Sequence, residues 1–222
     1  MVYPVTYTFA APDKTYICAS QTTASSGSLT LNGSGVDANS AAKNNPRVWL
    51  TGSGFERTVS ITSAGTVSGV NFTVTGANIR GSTFSETIAG PNATTVYTTN
   101  YFYLITGVTV NGTLSTATSV GIGTTGQSQW YTVDYQKTPT NMGLGVTVAA
   151  TDLTWTIKQT TYNVQTAEPP SYAIINHSDA SMVSQTVSRQ GNYAFPFGAT
   201  RCIISGSSTG SLVFNIYEAG IV

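Results

Sequence analysis

The chain has 222 residues, of which only 8% are charged, and nine acids balance nine bases at zero net charge. A globular domain ordinarily carries about 25% charged residues. Catalysis and metal binding draw on His, Cys, Asp, Glu and Lys gathered at one place, and this chain has one histidine and two cysteines. No catalytic residue, metal site or cofactor is therefore expected, and enzyme is the weakest reading.

The bases are scattered singly, which argues against a nucleic acid or an anionic membrane as partner, since either would need a basic face. No stretch approaches the ~18 apolar residues of a membrane span. The opening Met1-Val-Tyr-Pro-Val-Thr-Tyr-Thr-Phe9 shows neither the basic nor the apolar part of a signal peptide. The expectation is a protein that stays in its compartment of synthesis or leaves by lysis.

Residues 20–46 are rich in Ser, Thr, Asn, Ala and Gly around an apolar island, Ser28-Leu-Thr-Leu31. They read as a polar arm of the kind that orders against a neighbouring subunit. Val59 and Ile61 alternate with Thr58, Ser60 and Thr62, and Val70, Phe72 and Val74 alternate with Asn71, Thr73 and Thr75. Side chains two apart share a strand face, and the turn Gly65–Gly69 makes this pair read as a hairpin. Phe84, Glu86 and Ile88 share one face of the next strand, between Gly76-Ala-Asn78 and Gly90-Pro-Asn92. Tyr97–Ile105 has strand composition, and Asn111-Gly112 is the strongest short hairpin signal.

The breaker-rich Ser119–Gly126 closes this block. After it, Tyr131/Val133/Tyr135, Leu144/Val146/Val148 and Leu153/Trp155/Ile157 alternate, and Tyr193–Phe197, Arg201–Ser205 and Leu212–Tyr217 give three more strands. No window carries capped helical periodicity. The fold class is all-β, with one or two antiparallel β-sandwich units, jelly-roll or immunoglobulin-like, and long polar loops. The boundary is placed near Gly126, giving units 1–126 and 127–222.

His177 lies in Ile175-Asn-His-Ser-Asp179, where adjacent residues of an extended chain face opposite ways and cannot form a triad. It reads as a loop histidine capping a turn, and His177→Asn on a surface loop would change stability by no more than about 0.5 kcal/mol. Asp134 and Asp152 would suit glycoside hydrolysis if paired, but Lys137 and Lys158 stand near them in sequence, and solvent-facing charges are the preferred reading. Gly121-Ile-Gly123 lacks phosphate-loop spacing and reads as turn or bulge glycines. Cys18 and Cys202 read as separate buried thiols. Trp155 is in phase with a core face, whereas Trp130 is out of phase. Trp130, Tyr131 and Trp49 are the candidate surface contacts.

The run Val59–Gly76, with Ser85–Asn92 and Tyr101–Val108, resembles a pattern in structural proteins of tailed bacteriophages. So does the later order Leu153–Thr160, Ile175-Asn-His177, Gly191–Pro196, Thr200–Ile204 and Glu218–Ile221. The resemblance spans about residues 15 to 221 and implies a small virion component without enzymatic activity. It implies a capsid decoration or cement subunit, or alternatively a collar or tail component. A carbohydrate-binding adhesin domain using exposed Tyr and Trp is the alternative of another class. The expected partners are further copies of the chain, with a trimer favoured, and the major capsid or other virion proteins. The expected location is the virion, assembled in the host cytoplasm.

Overall fold

The computed structural model describes residues 2–41, 45–50, 55–133, 141–149, 152–193, 197–207 and 209–219. It is nearly all β, at 56% strand and 5% helix. In chain order the strands are β1 (Val2–Phe9), β2 (Cys18–Thr23), β3 (Gly27–Ser28), β4 (Val48–Trp49), β5 (Phe55–Ser63), β6 (Asn71–Ala77), β7 (Thr83–Ala89), β8 (Thr95–Tyr97) and β9 (Leu104–Val110). They continue as β10 (Leu114–Ser128), β11 (Tyr131–Thr132), β12 (Asn141–Ala149), β13 (Thr154–Thr160), β14 (Ile175–Asn176), β15 (Arg189–Tyr193), β16 (Ala199–Ser205) and β17 (Gly210–Ala219). Among the described residues, helix is confined to one turn at Ala38–Ala41 and two 3-10 turns at Ser171–Ala173 and Ala180–Met182.

The chain divides into two units, residues 12–126 and residues 1–11 with 127–222. β1 pairs along its whole length with β17, from Val2 opposite Tyr217 to Phe9 opposite Gly210. The first eleven residues therefore belong with the C-terminal unit rather than with the residues that follow them.

In the unit 12–126, one layer runs β10-β5-β8, with β2 also on β10, and the other runs β3-β9-β6-β7, with β4 also on β9. Val59, Ile61, Val120 and Ile122 come from the first layer, and Phe72, Val74, Ile105, Val108 and Val110 from the second. They meet in one buried cluster. The two expected hairpins are corrected here. β5 and β6 lie in different layers, as do β9 and β10, so Gly65–Gly69 and Asn111-Gly112 carry the chain across the sandwich. Asn111 holds its crossing by accepting the Asn71 N–H on Oδ1 at 2.8 Å. The true hairpin is β6–β7, in register from Asn71–Ala89 to Ala77–Thr83. Asn78 Oδ1 closes its turn by accepting the N–H groups of Arg80 and Ser82, each at 3.0 Å.

β5 is buried on both faces. Its hydroxyl face is satisfied by β10 backbone: Thr58 Oγ1 donates to Thr125 O at 3.2 Å and Ser60 Oγ to Ile122 O at 3.3 Å. Gly123 permits this approach, since a Cβ there would stand 2.2 Å from Thr58 Oγ1. Gly121 and Gly123 thus sit inside a continuous strand at close contacts, not in a turn.

Nor do the described residues of 20–46 form an arm. β2 pairs with β10, Gly27–Ser28 with β9, and Leu29 and Leu31 enter the core. Gln21 braces the stretch, its Oε1 accepting Thr30 N–H and its Nε2 donating to Thr30 O, both at 3.0 Å. Polar composition here reflects amide side chains replacing missing strand partners.

In the other unit, one layer runs β1-β17-β12-β15 and the other β14-β13-β16, with β11 on β16. Tyr7, Phe9, Leu144, Val146, Phe214 and Ile216 are buried from the first, and Trp155, Ile157, Cys202 and Ile204 from the second. Trp155 is fully buried, as its phase with Leu153 and Ile157 predicts.

Two substitutions on one strand separate the faces. Phe72→Ala removes a buried ring and is expected to cost about 3–5 kcal/mol. Thr73→Ala, on the outer face, loses one hydroxyl contact to Thr87 and is expected to cost about 1 kcal/mol or less. Chemical denaturation of both variants measures the difference.

Candidate functional site

Trp130, expected at the surface, is instead buried, with 8% of its area exposed. It follows β10 outside any strand, so strand phase does not govern it. Its Nε1–H donates to both carboxylate oxygens of Glu168, at 3.1 and 3.2 Å. The Arg201 guanidinium lies 4.2 Å from its ring centroid and pairs with Glu168 at 2.7 Å. The three side chains fasten the stretch before Pro169-Pro170 onto β16.

Tyr131 is half-buried. Its hydroxyl bonds to that of Tyr7, and its ring meets Phe214 edge-on at 5.8 Å. Burial raises both phenol pKa values above the ordinary 10, so the pair stays neutral. Trp49 is 42% exposed, with its ring edge-on to Tyr103 at 5.5 Å. Trp49 belongs to the unit 12–126, and Trp130 and Tyr131 to the other.

His177 is buried, not a surface loop residue, with 4% of its area exposed. Its ring centroid lies 4.1 Å from that of Tyr193. Nδ1 accepts the Asp179 N–H at 2.9 Å, so the neutral ring carries its proton on Nε2. The Asp179 carboxylate turns away to accept Ser181 N–H at 2.8 Å, and no triad forms. Asp152 caps a loop, accepting from Ser207 N and Oγ at 3.1 and 2.5 Å. Asp134 and Lys137 lie outside the described residues, as does Tyr135.

Cys18 and Cys202 are buried free thiols. Burial pushes Cys18 up to about 12 and raises Cys202 as well, so neither is poised as a thiolate. Among the described residues, no three His, Cys, Asp or Glu gather to hold a metal ion, and no helix is long and apolar enough to cross a membrane.

Sequence reasoning missed two surfaces on the unit containing 127–222. The first is the β13–β14 edge, where Tyr162, Tyr172 and Ile175 are all exposed, Tyr172 to 80%. Ile175 stands opposite Gln159. Beside it a cleft of about 410 Å³ has Val133, Val164 and Phe197 in its lining. The Glu168-Pro-Pro break marks this loop in the sequence, but not what it exposes.

The second is the outer face of β1-β17-β12-β15, where a shallow trough of about 680 Å³ crosses β12 and its neighbours. Gly143 stands opposite Tyr217 and Asn192, and Gly145 opposite Asn215 and Gln190. Gly143-Leu-Gly145 is its sequence signal: the same alternation that buries Leu144 leaves the outer positions without side chains.

No protein-family model and no curated protein sequence matches the chain. Among solved structures it aligns with the structure of the infectious bursal disease virus Gx strain at 10% identity, over 97% of this chain and 70% of that one, with a TM-score of 0.20. The Gt strain structure gives 9% identity, 97% and 69% coverage and a TM-score of 0.24. The VP2 subviral particle of the same virus gives 10%, 97% and 70%, with a TM-score of 0.20. At TM-scores this low the backbones do not superpose as one fold, and no role is taken from them.

Burial holds the His177 pKa below its ordinary 6.5, with Asp179 opposing. Above 6.5 the ring is neutral whether the chain is folded or unfolded, and its contribution to stability is complete. As pH falls below 6.5, the unfolded chain takes up a proton that the folded ring resists, and stability declines down to the folded pKa. Thermal melts between about pH 7 and about pH 5 should therefore fall more steeply for the native chain than for His177→Asn. The substitution itself is expected to cost about 1–3 kcal/mol at pH 7, because it empties a buried ring site.

The fastening at Trp130 is tested separately. Glu168→Gln weakens a half-exposed ion pair and should cost only about 1 kcal/mol. Arg201→Ala removes the buried partner as well as the cation over the ring, and is expected to cost about 2–4 kcal/mol. Denaturation midpoints read both losses.

Proposed function

We propose that the chain is a non-enzymatic structural protein of a virion, most concretely a decoration or cement subunit of a tailed-phage capsid. A collar or tail position in the same particle is the alternative. The observation that supports this most directly is the β13–β14 edge: Tyr162, Tyr172 and Ile175 expose large apolar surface together. Interface cores are enriched in such aromatic residues and poor in charge. The resemblance of the strand motifs to phage structural proteins points the same way.

The mechanism is bridging. Each copy buries a modest apolar patch against neighbouring subunits, and symmetry multiplies weak contacts into durable attachment. A homo-oligomer, with a trimer as first choice, presents several patches at once. With 8% charged residues, attachment rests on apolar burial at about 25 cal/mol per Å² rather than on exposed ion pairs of about 0–1 kcal/mol each.

Washing purified particles in a sodium chloride series tests this. The protein should stay bound near ~1 M salt, since screening weakens charge pairs and leaves apolar contact intact. Replacing Tyr172 and Ile175 together by serine should lower occupancy on the particle while the free protein remains folded. Release of folded native protein at high salt, or full occupancy of the double variant, would overturn the reading.

A further inference from the structure

We infer that the outer face of the β1-β17-β12-β15 layer binds a saccharide, with Tyr217 as its stacking platform. The site follows from the register. β12 presents Gly143 and Gly145 on this face, and each is flanked on one side by a β17 side chain and on the other by a β15 side chain. The flanking strands lie two spacings apart, roughly 9.5 Å, and the strip between them has no side chains of its own.

The β17 side chains use that space. Tyr217 Cδ2 is 3.9 Å, and its Cβ 3.7 Å, from where a Cβ of Gly143 would stand. Asn215 Nδ2 is 3.8 Å from the corresponding point at Gly145. Ring and amide therefore stand within ordinary van der Waals range of the glycine strip. Tyr217 remains 45% exposed, so area is left for a ligand. Gln190, on the edge strand β15, is exposed across the trough.

A flat aromatic ring beside carboxamides is the combination that a pyranose requires. The ring accepts the apolar C–H face of the sugar and buries it. Each amide offers both a donor and an acceptor to neighbouring hydroxyls. Tyr217, Asn215, Gln190 and Thr147 line the trough together with one cation, Arg189, whose guanidinium adds further donors for a sugar's oxygens. The trough volume of about 680 Å³ is of the size that small-ligand sites occupy, roughly 300–1,000 Å³. Such a site would give the protein a binding activity of its own, independent of any place in a particle.

The test uses the purified full-length chain on an array of immobilised neutral oligosaccharides of glucose, galactose, mannose and N-acetylhexosamines, with sialylated and uronic-acid glycans alongside. Hits are then titrated in solution by NMR of side-chain amide signals. Binding to at least one glycan is expected, with shifts at Asn215 and Gln190. Tyr217→Ala and Asn215→Ala should each weaken it by about tenfold or more, with melting temperatures close to native. Tyr172→Ala, on the separate β13–β14 edge, should bind as the native chain does. Absence of binding to every glycan on the array, or binding that survives Tyr217→Ala, would overturn the assignment.

Discussion

The hydrogen bonds from Thr58 and Ser60 to the carbonyls of Thr125 and Ile122 express the constraint under which this protein folds. β5 is buried on both faces, and the chain has almost no charge with which to satisfy polar groups in its interior. A buried hydroxyl without a partner costs about 1–3 kcal/mol, so the strand holds together only if β10 comes close enough to accept. Gly123 makes that approach sterically open. Once β5 and β10 are locked, Val59, Ile61, Val120 and Ile122 face the second layer together, and the core of the unit 12–126 is defined.

The described carboxylates fasten the fold. Each carboxylate whose side chain the structure describes accepts bonds that close a loop or hold a crossing. Asp13 takes Thr15 and Ser34, and Asp37 takes Asn39 N–H. Glu56 takes Ile79 N–H, and Glu86 takes the N–H groups of Thr99 and Asn100. Asp152 takes Ser207, Asp179 takes Ser181, and Glu168 takes Trp130 and Arg201. Charge-assisted bonds of this kind are stronger than neutral ones, which suits long loops poor in apolar anchors. Arg57 extends the pattern inside the core: its guanidinium donates to Gly123 O, and burial lowers its pKa to about 10.

Alternation in the sequence made the strands legible but not their partners. A period of two says which side chains turn inward; it does not say which sheet they turn from. Val59 and Ile61 on one layer and Phe72 and Val74 on the other give the same pattern whether the turn between them closes a hairpin or crosses a sandwich. Only the pairing of β5 with β8, and of β6 with β7 and β9, separates the two. Trp130 lies beyond the end of β10, where strand phase does not govern burial. The polar Asn-His-Ser-Asp run around His177 reads as solvent-facing, while the contact that buries the ring, Tyr193, lies sixteen positions away in sequence. The trough at Gly143 and Gly145 was legible only as glycines; its meaning depends on Tyr217 and Asn215, and cross-strand register is not written locally.

Scarcity of charge also determines how the sheet edges are guarded. Exposed edges invite pairing with other chains, and proteins commonly blunt them with lysine, proline or short strands. Here brevity does most of it: β3, β4, β11 and β14 are two residues long and β8 three. β1 is longer but carries Pro4, which lacks a backbone N–H. β15 opens with Arg189. β7 is different. It is seven residues long, ends its sheet beside β6, and points Thr83, Ser85 and Thr87 outward without a lysine or proline. Its inward Phe84 and Ile88 are only partly buried. Glu86 lies between them on the same face and accepts the Thr99 and Asn100 N–H groups, so an inward carboxylate is what guards this edge.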